Sequence, residues 1–120
     1  QLYHNMNKTK IEILGIWYYL GLGFLNEVVT GTGKQLNELS AESDELLMPK
    51  LIYYSRLYAC KRLGLNTDFT LDDVFEYIDD NGGMRGQFFK DWFNAYIIAM
   101  TKDVPQDDSE DKKKVTKAKK

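Results

Sequence analysis

The apolar residues of this 120-residue chain change from a strand-like to a helix-like pattern shortly after residue 20. Before that point, β-branched and aromatic side chains surround Gly15, and this predicts a β-hairpin that pairs residues 10–14 with residues 16–20. Leu14 before Gly15 suits a type II turn better than the primed turns that tight hairpins favour. A continuous helix from Ile11 is the competing interpretation. Because an isolated hairpin is marginally stable in water, we expect it to pack on helices.

A short first helix follows the hairpin. Four apolar residues recur at helical spacing until Gly31-Thr32-Gly33 interrupts the pattern: Phe24, Leu25, Val28 and Val29. Leu36 and Leu39 are spaced for one further helical turn.

The longest predicted helix covers residues 44–63. Ser40 or Ser43 is placed to cap its start, and Gly64 is placed to close its end. Pro49 lacks an amide donor, so the helix either starts just before this proline, near Met48, or kinks at it.

This middle helix carries two apolar stripes. At about 100° per residue, one broad face contains Leu47, Met48, Leu51, Ile52, Tyr54, Tyr58 and Ala59. A second stripe contains Leu46, Tyr53, Leu57 and Cys60. A helix with two apolar stripes is expected to be covered on two sides, by its own domain or partly by another protein.

Two further helices complete the predicted domain. Thr70 and Asp73 form a capping-box pattern, and the helix that follows is expected to run to about Asp80 and to end at Asn81-Gly82-Gly83. The last helix is predicted over residues 84–101. Its apolar face, which we expect to supply much of the core, contains Phe88, Phe89, Trp92, Phe93, Tyr96, Ile97 and Met100.

These patterns predict a mainly α protein: a small helical domain of about four helices with a short N-terminal β-hairpin and a disordered charged C-terminal tail. The domain is expected to span residues 10–102. Residues 103–120 contain five acids and six lysines, with little to bury. Residues 1–9 are expected to be disordered. Because Gln1 is not an initiating residue, we expect Met6 to begin the natural reading frame and residues 1–5 to have been added for expression.

Composition narrows the possible chemistry. His4 and Cys60 are the only histidine and cysteine, which excludes an intramolecular disulfide and a cysteine-rich or multi-histidine zinc site. Residues 1–102 hold 10 basic and 13 acidic residues, a balance of -3 that lacks the basic footprint of a nucleic-acid binder. The chain has no signal peptide pattern and no apolar run of about 18 residues, so we expect a cytoplasmic protein that does not enter membranes.

The motifs that suggest chemistry do not complete their patterns. Gly31-Thr32-Gly33-Lys34 resembles the end of a phosphate-binding loop, but Val28 and Gln35 occupy the positions of the missing glycine and Ser or Thr. A calcium loop starting at Asp79 would place Lys90 where a bidentate Glu belongs. We therefore expect no cofactor, no metal and no enzymatic activity.

The acidic residues of the predicted helix after Thr70 lie opposite its apolar face. Among them Asp72 and Glu76 are i, i+4 neighbours, and general acid catalysis would need one of these carboxyls to be buried. A solvated acidic face is the favoured interpretation, and it can dock a basic partner. A small hydrolase would need a pocket with a perturbed carboxylate, for which the sequence offers no candidate.

Three segments resemble the small tail assembly chaperones of long-tailed bacteriophages and prophages. The first runs from Ile11-Glu12-Ile13-Leu14-Gly15 to Gly21-Leu22-Gly23-Phe24-Leu25 and is similar to the family's hairpin and the start of its first helix. The others are Met48-Pro49-Lys50-Leu51-Ile52-Tyr53-Tyr54 and Phe69-Thr70-Leu71-Asp72-Asp73-Val74-Phe75-Glu76-Tyr77-Ile78-Asp79. The resemblance spans roughly residues 10–101. Gly31-Thr32-Gly33 departs from the family pattern.

The resemblance implies a non-enzymatic protein that binds the hydrophobic tape measure protein, keeps it soluble and helps recruit tail tube protein. It also implies a location in the host cytoplasm and absence from the mature virion. Many family members gain a second domain through a ribosomal frameshift, and Lys112-Lys113-Lys114 can be encoded by the A-rich heptamer that such a shift needs. The alternative from another class is a head–tail completion or connector protein that stays in the virion.

Partner binding, including possible homo-oligomer formation, is predicted for the second stripe of the middle helix and for the acidic face. The residues are Leu46, Tyr53, Leu57, Cys60, Asp72 and Glu76. Substituting Tyr53 and Leu57 by Ser or Asp is expected to weaken association while the fold persists, as measured by light scattering and co-purification.

Overall fold

The computed structural model describes residues 9–101, which form a hairpin followed by helices. The strands are β1 (Lys10–Ile13) and β2 (Ile16–Tyr19), and the helices are α1 (Leu22–Thr32), α2 (Leu36–Leu39), α3 (Asp44–Leu63), α4 (Leu71–Asp80) and α5 (Gln87–Thr101). A 3₁₀ turn, Gly83–Arg85, precedes α5. The predicted mainly α fold with an N-terminal hairpin is confirmed. The predictions for residues 1–8 and for the charged tail lie outside the described residues.

The hairpin forms where the sequence predicts it, but its turn differs from the expected type. β1 and β2 are antiparallel, with Lys10 opposite Tyr19 and Ile13 opposite Ile16. Leu14 and Gly15 both have positive φ angles, 53° and 82°, which is the signature of a type I′ turn. The expectation of a type II turn is wrong because the twist of two directly connected strands favours the primed turn even with a leucine at its first position. The alternative of a helix from Ile11 is also excluded.

Two glycines bring α1 close to α3. A Cβ atom built on Gly23 would overlap the Tyr58 ring, and one built on Gly31 would overlap the Tyr54 ring. Gly33 then ends α1 in the left-handed conformation, with φ 75°. The Gly31-Thr32-Gly33 segment therefore combines a close helix–helix approach with a helix end.

The bounds of α3 match the sequence prediction. Ser43 is the N-cap residue, although its side chain makes no capping hydrogen bond, and Gly64 ends the helix with φ 71°. The helix begins at Asp44 and continues through Pro49, so the alternative of a start near Met48 is wrong.

The last two helices, α4 and α5, are started by different local interactions. The Thr70 amide donates to Asp73 Oδ2 at 2.8 Å, and the Asp73 amide donates to Thr70 Oγ1 at 3.1 Å, as the capping-box pattern predicts. The final α-helix begins at Gln87 instead of residue 84, because Gly82 and Gly83 adopt positive φ and Gly86 is extended.

The core surrounds α3, against which β2, α1 and α4 pack. α5 joins this core through Trp92, whose indole Nε1 donates to Ser55 Oγ at 3.1 Å. The Ser55 hydroxyl in turn donates to the Ile52 carbonyl at 2.8 Å. Trp92 and Ser55 are each 0% exposed. The largest fully buried apolar side chains are Trp92, Tyr18, Phe24, Leu20, Leu39, Leu51, Ile52, Val28 and Val74.

Candidate partner-binding surfaces

The second apolar stripe of α3 is largely covered by the protein's own residues. Leu46 is 55% exposed, but Cys60 is only 7% exposed and offers almost no surface to a partner. Tyr53 and Leu57 are half-buried. The Tyr53 ring contacts Tyr54 and Phe69 edge-on, with centroid separations of 4.9 and 5.4 Å. The four residues therefore do not form one continuous exposed stripe.

Tyr53 lines an open groove of about 490 Å³ between α1, α2, α3 and the start of α4. We call it the tyrosine groove, and its walls include Gly31, Lys34, Tyr53, Tyr54, Phe69 and Leu71. Lys50 also lines it and pairs with Glu42 at 2.9 Å. Burial raises the pKa of Tyr54, so its hydroxyl stays protonated at neutral pH. The groove combines aromatic walls with hydrogen-bonding groups, as peptide-binding surfaces do.

The predicted acidic face lies on the outer side of α4. Asp72 and Glu76 are exposed, whereas Val74 and Ile78 on the opposite side are buried. Asp72 directly follows Leu71, a wall residue of the tyrosine groove, but Asp72 itself does not line the groove. The acidic face is therefore exposed as predicted, and of the four residues of the second stripe Tyr53 lines the tyrosine groove whereas Cys60 does not.

An exposed apolar strip on α5 was assigned to the core by the sequence pattern. Phe93 is 37% exposed and Ile97 is 43% exposed, and Phe89 is half-buried one turn before Phe93. The Phe89 and Phe93 rings stack with their centroids 5.8 Å apart. We call these three residues the α5 strip, and the expectation that Phe93 and Ile97 belong to the core is wrong.

The reason is the width of the apolar arc on α5. At about 100° per residue, the buried Phe88, Trp92, Ala95 and Ala99 lie within about 60° of one another around the helix. Phe93 and Ile97 lie about 130–170° from the centre of that group, beyond the half-buried Tyr96. One neighbouring layer covers an arc somewhat wider than 100°. The sequence therefore did indicate this exposed surface, because the apolar face of α5 is wider than one neighbouring layer can cover.

No helix within residues 9–101 has both the length and the apolar character needed to cross a membrane. In the same part of the chain, no three His, Cys, Asp or Glu side chains are grouped so that they could hold a metal ion.

Comparison with protein-family models, curated proteins and solved structures gives no match for this chain. A function is therefore inferred from the sequence resemblance and from the surfaces described above.

Proposed function

We propose that the protein is a non-enzymatic tail assembly chaperone of a long-tailed bacteriophage or prophage. In this role it binds the tape measure protein in the host cytoplasm, helps recruit tail tube protein and is absent from the mature virion. The observation that carries the proposal is the α5 strip, an apolar surface on a small acidic domain that offers a place for an apolar partner segment.

The α5 strip has the geometry of a helix-docking surface. Phe89, Phe93 and Ile97 follow one another at intervals of four residues and so form a row about 12 Å long. Such a row matches the i, i+4 spacing by which amphipathic helices recognise each other. A chaperone that keeps a long apolar protein soluble needs a surface that replaces water around apolar side chains, and aromatic residues supply the most area for this purpose.

The tyrosine groove and the acidic face offer a second contact region. The groove is open to solvent, and its wall residue Leu71 is followed directly in α4 by the exposed Asp72. A partner segment with apolar and basic residues would place its apolar side chains against Tyr53 and Phe69 and its cations near α4. The acidic charge would mainly accelerate association and would contribute less to the final affinity.

Co-expression with the tape measure protein from the same gene cluster tests the proposal. Phe93→Asp places a charge in the α5 strip and is expected to reduce the amount of soluble, co-purified tape measure protein at least tenfold. Asn94→Asp introduces the same side chain at the adjacent exposed position and is the matched control. Circular dichroism must show both variants folded. Equal recovery with the two variants would contradict a chaperone role for the α5 strip.

Mass spectrometry of purified virions separates the chaperone from a structural head–tail component. The chaperone is expected to be absent, and a stoichiometric presence would favour the completion or connector protein. The gene offers an independent check. A tail tube gene upstream and a very long tape measure gene downstream are expected, together with an A-rich heptamer at the codons of Lys112–Lys114 and an overlapping frame behind it.

A further inference from the structure

A second groove, of about 390 Å³, lies between the hairpin, the start of α1 and the end of α3. We call it the basic groove, and its walls include Lys10, Tyr19, Leu22, Gly23, Tyr58 and Arg62. None of its lining residues is acidic, although the folded body as a whole has a net negative charge. Leu22 is 86% exposed at its edge. The groove thus combines two cations with aromatic rings and an exposed aliphatic side chain.

The two cations converge on one ring. Lys10 Nζ lies 5.8 Å from the Tyr19 ring centroid, and the Arg62 guanidinium carbon lies 5.7 Å from the same centroid. Arg62 Nη1 also donates to the Tyr58 hydroxyl at 3.2 Å, which fixes the guanidinium over the groove. The nearby Lys61 is paired with Glu27 at 2.9 Å, but within residues 9–101 neither Lys10 nor Arg62 has a carboxylate within 4.0 Å. Their charges are available to an acidic ligand.

The backbone at the groove adds to this positive potential. α1 has Gly21 as its N-cap, with no capping side chain and no acidic residue in its first turn. The first amides of a helix lack intrahelical acceptors and carry the positive end of the helix dipole. A carboxylate held by Lys10 or Arg62 would lie beside these amides.

We propose that the basic groove binds the acidic segment 103–111 of the same chain. This segment carries Asp103, Asp107, Asp108, Glu110 and Asp111 within nine residues and no basic residue. In an extended chain, residues three positions apart are separated by about 10 Å. Asp107 with Glu110, or Asp108 with Asp111, can therefore reach both cations around the Tyr19 ring.

The last described helix before the segment packs against elements that border the groove. Tyr96 of α5 packs edge-on against Phe24, with centroids 6.4 Å apart, and Phe24 directly follows the groove residue Gly23. From Tyr96, α5 continues for only about 7.5 Å to Thr101. Residues 102–107 can then span about 20 Å. A tether of this length gives the segment an effective concentration in the millimolar range, so weak individual contacts suffice.

Nuclear magnetic resonance of the full chain tests the proposal. The backbone amide signals of Leu22, Gly23 and Arg62 are compared between the wild-type chain and a chain with a neutralised segment. That variant carries Asp107→Asn, Asp108→Asn, Glu110→Gln and Asp111→Asn. The groove signals are expected to differ between the two chains at about 0.05 M salt and to converge at about 1 M salt, where the Debye length falls to about 3 Å. The difference is expected to be independent of protein concentration.

Variants in the groove complete the test. Lys10→Glu with Arg62→Glu is expected to abolish the effect of neutralising the segment, and the milder Arg62→Gln is expected to reduce it. Arg85→Glu with Lys90→Glu makes the same total charge change at two exposed positions that do not line the groove, and it should leave the effect intact. Identical groove signals in the wild-type and neutralised chains would overturn the proposal. A signal difference that grows with protein concentration would also overturn it, because docking would then occur between copies.

Discussion

The hydrogen bond between Trp92 and Ser55 offers a sharp test of how the core is held together. Both residues are 0% exposed, and Ser55 Oγ is the acceptor of the indole N–H at 3.1 Å. Ser55→Ala leaves this N–H buried without that acceptor, which costs about 1–3 kcal/mol. Alanine has a higher helix propensity than serine, and this difference offsets about 0.5 kcal/mol of that cost. We expect a net loss of about 1.5 kcal/mol in the free energy of unfolding.

Urea denaturation followed by far-ultraviolet circular dichroism measures this loss, and thermal unfolding should show a decrease of roughly 6–12 °C in Tm for a domain of this size. Ser40→Ala is the matched control. The Ser40 hydroxyl also donates to a carbonyl three residues earlier, that of Asn37 at 2.7 Å, but Ser40 is exposed. We expect the control to change the free energy of unfolding by less than about 0.5 kcal/mol.

A double-mutant cycle identifies the cause. In a Trp92→Phe background there is no indole N–H to leave unpaired, so Ser55→Ala should cost less than about 0.5 kcal/mol, giving a coupling energy of about 1–2 kcal/mol. An equal cost of Ser55→Ala in both backgrounds would refute the reasoning, because the loss would then come from packing or from the Ile52 carbonyl.

Three further predictions concern a turn, a cap and a buried hydroxyl. Leu14 is 66% exposed at φ 53°, so Leu14→Asn should relieve left-handed strain and raise the free energy of unfolding by about 0.5–1 kcal/mol in urea titrations. Thr70→Ala removes the side-chain acceptor of the Asp73 amide and should lower the free energy of unfolding by about 1 kcal/mol. Thr70→Ser keeps a hydroxyl acceptor and should retain most of the stability that the cap contributes. Burial, followed by the nearby Tyr77, raises the pKa of Tyr18 above its ordinary value of 10.0. As the pH rises above 10.0, the unfolded chain therefore loses the Tyr18 proton before the folded chain does, and the free energy of unfolding should fall by about 1.4 kcal/mol per pH unit. Tyr18→Phe should remove this pH dependence. An alkaline slope that is unchanged in Tyr18→Phe would contradict the prediction.

Local chemistry in the sequence was sufficient to predict most helix ends. Gly64 ends α3 in the left-handed conformation, and Thr70 with Asp73 begins α4, because a cap acts through the few residues next to it. The type I′ turn at Leu14 could not be predicted in the same way. There the twist of the paired strands overrode the preference of one residue.

The candidate surfaces depended on contacts between distant residues and were predicted less well. The sequence placed Tyr53 and Leu57 on an apolar stripe, but it could not show that Phe69, on the following loop, would cover Tyr53. It likewise assigned Phe93 to the core, because periodicity shows how wide an apolar face is and not how much of it a neighbour covers.

The close approach of α1 to α3 links positions that must change together. An alanine at Gly31 would displace the Tyr54 ring, and an alanine at Gly23 would displace the Tyr58 ring. These two rings also form walls of the tyrosine groove and the basic groove. A related sequence with larger residues in α1 is therefore expected to have acquired smaller residues at 54 and 58 first. The two grooves would widen as a result, so ligand preference and helix spacing should diverge together in evolution.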